Sequence, residues 1–70
     1  MSMIVERIRA GLRVGEAADA LRISRMTLWR WENEQTFPTQ AQLEKMAEVY
    51  GCTVEALIDE DRRPTYAGSV

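Results

Sequence analysis

Residues 14–33 read VGEAADALRISRMTLWRWEN, and the pattern in this run decides the fold. Val14, Ala17, Ala18 and Leu21 recur at the i, i+3, i+4, i+7 spacing of one helix face. Leu21-Arg22-Ile23-Ser24 then reads as a tight turn. The Ser24 hydroxyl can accept from the unpaired amides of a first helical turn, so it predicts the N-cap of a second helix over about 25–33. Along that helix Leu28 and Trp31 fall on one side. Arg25, Met26, Trp29, Arg30 and Asn33 fall on the other. One face therefore asks for a core. The other combines two guanidinium groups, an amide and a large aromatic, which a merely solvated helix rarely displays together. Ala17, Ala18 and Ala20 let the first helix approach the second closely. A short basic helix protruding after a tight turn has the geometry that enters a DNA major groove.

Outward from this pair, three more short helices fit the periodicity. The first covers about 3–10, with Ile4 and Ile8 on one face and Gly11 at its end. Gln35-Thr36-Phe37-Pro38 reads as a loop. Thr39 with Gln42 forms a capping box for a fourth helix, in which Leu43, Met46, Ala47 and Tyr50 share a face and Gly51 supplies the stop. Thr53 caps a last helix over about 54–58, with Glu55 placed favourably in its first turn. None of these helices is long enough to persist alone. Their apolar faces must meet in one core, expected to hold Ile8, Leu12, Ala18, Leu21, Ile23, Leu28, Trp31, Leu43, Met46, Ala47, Val54 and Leu57. The expected fold class is all-α: a single five-helix domain over residues 1–58, with residues 59–70 a flexible tail or a dimerisation extension.

The chain of 70 residues carries a formal charge of −2, which by itself argues against a nucleic-acid partner. The distribution argues for one. Residues 1–31 hold six arginines against three carboxylates, and residues 32–70 hold three basic against eight acidic residues. The basic half is thus all arginine, the side chain whose planar fork suits phosphates and guanine edges. There is no histidine and one cysteine, Cys52. That composition removes His-based acid–base catalysis, ordinary zinc sites and an intrachain disulfide. Cys52 reads as a small buried hydrophobe. No glycine-rich phosphate loop occurs. An enzyme is not expected, nor is a cofactor or a metal. No apolar run reaches the ~18 residues of a membrane span, and the first residues lack the pattern of a signal peptide. The expectation is a cytoplasmic protein without a membrane partner.

The order Ile23-Ser24-Arg25-Met26-Thr27-Leu28-Trp29-Arg30-Trp31-Glu32-Asn33, followed by Pro38, Leu43, Ala47, Gly51 and Leu57, resembles the phage repressor/Cro-type, or XRE-like, helix-turn-helix family. The resemblance runs from Gly11 to Leu57. It implies a lambda-repressor-like five-helix domain that binds double-stranded DNA. It further implies that Arg25, Met26, Trp29 and Arg30 face base edges, that Arg13, Arg22, Ser24 and Asn33 meet phosphates, and that Arg7 and Glu32 form a structural ion pair. Three positions depart from the family. Val14 stands where a phosphate-holding glutamine is common, Arg22 where the turn usually has glycine, and Glu34 where the loop usually has glycine.

The functional expectation is a sequence-specific transcriptional regulator, a repressor that binds an inverted-repeat operator as a homodimer. Val54, Leu57, Ile58 and Tyr66 are the expected interface. Two alternatives stand beside it. An antitoxin or other protein-binding module would use the same fold for assembly with a protein partner. An excisionase or MerR-like architectural protein shares the Glu-Ala-Ala helix and the Arg-Trp-Glu ending, but needs a β-hairpin wing after Pro38, where this sequence shows helical period.

Overall fold

The computed structural model describes residues 2–58. They form five helices: α1 Ser2–Arg9, α2 Val14–Leu21, α3 Arg25–Glu32, α4 Gln40–Tyr50 and α5 Val54–Leu57. No strand occurs among the described residues. After Pro38 the chain forms α4, where a winged protein would form its hairpin.

The helix starts follow from side chains that close their own first turns. Ser24 Oγ accepts from the Thr27 amide at 3.0 Å, and Thr53 Oγ1 accepts from the Ala56 amide at 3.1 Å. At α4 the bond is reciprocal: Thr39 Oγ1 accepts from the Gln42 amide, and Gln42 Oε1 accepts from the Thr39 amide. At α2 only half of such a box exists. Glu16 Oε1 accepts from the Arg13 amide at 2.8 Å, but arginine has no acceptor to return the bond.

Four helix ends turn back through a left-handed residue: Gly11, Arg22, Glu34 and Gly51. At Arg22 the amide of Ile23 donates to Ala18 and that of Arg22 to Asp19, which pairs the last carbonyls of α2 in a Schellman motif. Gln35 and Glu34 repeat the motif on Arg30 and Trp31 at the end of α3. Glycine reaches this backbone region freely; a side chain raises its cost by about 1–2 kcal/mol. Both non-glycine residues that bear this cost flank α3.

The buried apolar set is Met3, Ala17, Ala18, Leu28, Trp31, Met46, Ala47, Tyr50 and Leu57. Leu12, Leu21, Ile23, Leu43 and Val54 pack against it with part of their surface in water. Ala17 and Ala18 are fully covered, which permits the close approach of α2 to α3 and α4.

Ile8 is the exception to the expected core, at 62 % exposed. The reason is Arg7. Its guanidinium turns inward to Glu32, and Met3, one turn earlier on the same face, is buried with it. Ile8, one residue further round, must then point out. Leu57 is a correction of a different kind. It is among the most deeply buried side chains, so it belongs to the core and offers no interface surface. Tyr66 and the whole of 59–70 lie outside the described residues. Cys52 is half-buried against the core. Burial first, and the Glu6 carboxylate second, push its thiol pKa up, away from the reactive thiolate. No helix among the described residues is long and apolar enough to cross a membrane.

Candidate nucleic-acid interface

The inner and outer faces of α3 separate sharply. Leu28 is fully buried, and Trp31 and Glu32 are 4 % exposed. Arg25, Met26, Trp29, Arg30 and Asn33 are all exposed. Met26 at 54 % and Trp29 at 46 % are large apolar side chains held in water between two arginines. The four residues expected to meet bases therefore share one surface.

Glu32 is the one buried charged residue among those described, and its partner comes from α1. Arg7 Nε donates to Glu32 Oε2 at 2.7 Å, Arg7 Nη2 to Oε1 at 3.4 Å, and Arg7 Nη1 to the Leu12 carbonyl at 3.0 Å. One guanidinium thus links α1, the α1–α2 turn and α3. Tyr50 is buried nearby. Burial and, secondly, Glu32 push its phenol pKa up to about 12. Its hydroxyl has no hydrogen-bond partner among the described residues.

The residues expected at phosphates occupy the edges of the α2–α3 unit. Arg13 precedes α2 and is exposed, and its guanidinium takes no part in the cap. Arg22 is exposed in the turn, at φ 60° and ψ 44°. Ser24 Oγ is engaged in the α3 cap and also donates to Thr27 Oγ1 at 3.0 Å. Asn33 Nδ2 donates to the Trp29 carbonyl at 2.8 Å, so part of its hydrogen-bonding capacity closes the end of α3.

Two features escaped the sequence reading. The Arg25 guanidinium lies against Gly15 of α2, so closely that a Cβ built on Gly15 would be 2.6 Å from Nη2. Gly15 sits inside a helix, where glycine costs about 1 kcal/mol relative to alanine. That cost was the available signal, but nothing local identifies the partner ten residues on. The second is the exposure of Phe37, which was read only as part of a loop and stands 72 % exposed there, between α3 and α4.

A short helix, a three-residue turn that begins at left-handed Arg22, and a second helix with a buried inner face and a basic, aromatic outer face define a helix-turn-helix unit. The chain belongs to the helix-turn-helix domain family of DNA-binding domains: the family model described as a helix-turn-helix domain matches residues 6–60. The match spans all five helices except the first four residues of α1. Neither the comparison with curated proteins nor that with solved structures returned a match.

Proposed function

We propose that this chain is a sequence-specific transcriptional regulator of the phage repressor/Cro type, a repressor that acts by occupying an inverted-repeat operator as a homodimer. The observation that carries the reading is the outer face of α3, where Arg25, Met26, Trp29 and Arg30 stand exposed together on a helix anchored from behind by Leu28, Trp31 and Glu32. Arg25 and Arg30 each present a fork to guanine N7 and O6, and Met26 and Trp29 meet thymine methyls or sugar. Arg13, Arg22, Ser24 and Asn33 set the register on phosphates. Residues 1–58 form the DNA-binding unit. One reading helix makes a small interface, so two subunits on half-sites about one DNA turn apart supply the affinity. No cofactor takes part.

Selection of bound duplexes from a random pool, followed by affinity against salt, tests this. The expected product is an inverted repeat with half-site centres about 10 base pairs apart. Recovery of no motif, with weak binding lost at moderate salt, contradicts it. A second reading, a protein-binding module, is favoured by Val5 and Ile8, which leave apolar surface of α1 exposed. That reading predicts the second outcome and a protein partner.

A further inference from the structure

The outer face of α3 does not close against α2. Between the first turn of α2 and α3 lies an open notch of about 290 Å³, lined by Val14, Arg25, Met26 and Trp29. Three of these four side chains are apolar. The fourth, Arg25, is held beside the notch by its packing on Gly15, whose missing Cβ makes room for the guanidinium. A donor fork therefore stands at the rim of an apolar recess on the face that meets DNA. Water over such an apolar surface finds few partners on the protein, and a small apolar group that covers it is favoured.

On the major-groove edges of the base pairs, the apolar group that fits is the 5-methyl of thymine, or of 5-methylcytosine; guanine presents N7 and O6 acceptors. We propose that Val14, Met26 and Trp29 form a receptor for the 5-methyl of the pyrimidine next to the guanine that Arg25 reads. The protein then selects a base step by two coupled contacts, a fork on guanine and a methyl in the notch. Val14 makes α2, not α3 alone, a source of sequence preference. The proposal rests on the DNA-binding reading above and adds to it the chemistry of one subsite.

The test uses the full chain and a duplex recovered by selection. Each thymine is replaced in turn by deoxyuracil, which pairs identically and lacks only the methyl. At one thymine per half-site, adjacent to a guanine, binding weakens about fourfold, the factor expected for losing one buried methyl-sized group. 5-Bromodeoxyuracil at that position restores it. Where the selected step carries cytosine, 5-methylation of that cytosine tightens binding by the same factor. Met26→Ala, on an exposed position, brings the ratio between methylated and unmethylated duplexes toward one. Binding with no methyl dependence at any pyrimidine overturns the receptor and leaves DNA recognition standing. Failure of the wild-type chain to bind any duplex overturns both.

Discussion

Replacing Arg7 by alanine removes both donors that face Glu32 and the one that faces the Leu12 carbonyl. The Glu32 side chain is 4 % exposed and that of Arg7 12 %, so water cannot readily replace the lost guanidinium. Removing one partner of a buried pair typically costs about 3–5 kcal/mol, because the other charge stays buried and unpaired. A domain of this size holds roughly 3–9 kcal/mol in total, at 0.05–0.15 kcal/mol per residue. Arg7→Ala should therefore remove about 3–5 kcal/mol, half or more of that total at most values in the range. Urea unfolding followed by circular dichroism measures it. Arg7→Lys keeps the charge but not the fork, and should fall between the two. The double variant Arg7→Met with Glu32→Leu should recover most of the lost stability, since an apolar pair of similar volume avoids the desolvation penalty. A loss below ~1 kcal/mol for Arg7→Ala would refute the reasoning, because it would mean that Glu32 is solvated or paired elsewhere.

Three further substitutions separate folding from recognition. Arg22→Gly should stabilise the domain by about 0.5–1 kcal/mol: relief of the left-handed strain, ~1–2 kcal/mol, exceeds glycine's extra unfolded-state entropy, ~0.5–1 kcal/mol. The same variant should weaken binding to all duplexes alike and lower the salt slope by about one, as read by salt titration. Gly15→Ala should keep or raise the thermal midpoint, since the flexible Arg25 side chain can yield, while preference at the base Arg25 contacts falls in competition binding. Tyr50→Phe should be neutral or stabilising by up to ~1 kcal/mol in urea, because it deletes a buried hydroxyl without a partner among the described residues.

The parts of the fold set by local chemistry could be read from the residues. Ser24, Thr39 and Thr53 cap the helices they were expected to cap, and the Leu28–Trp31 face of α3 is buried opposite its arginines. The orientation of α1 could not be read in the same way. Its apolar spacing favours Ile8 inward, but the pairing of Arg7 with a carboxylate 25 residues away overrides that periodicity. Periodicity weighs hydrophobic spacing and has no means of scoring a buried charge whose partner is distant; the Arg7–Glu32 pair was implied by the family resemblance alone. The contact between Arg25 and Gly15 was hidden for a related reason. It joins residues ten apart across the α2–α3 turn, a proximity that composition does not reveal. The notch likewise joins Val14 of α2 to residues of α3, so Val14 looked like a missing phosphate contact when read along the chain and lines an apolar recess in three dimensions.

On the proposed function, the exposed face of α3 reads bases. The most direct measurement is the ratio of affinities for a selected operator and a scrambled duplex, taken at one salt concentration for the wild type, Arg25→Ala and Arg30→Ala, with circular dichroism confirming each fold. Each substitution should reduce that ratio by roughly 5- to 150-fold, the equivalent of ~1–3 kcal/mol for a bidentate guanine contact. Unchanged ratios in both folded variants would contradict the account and move base recognition off α3.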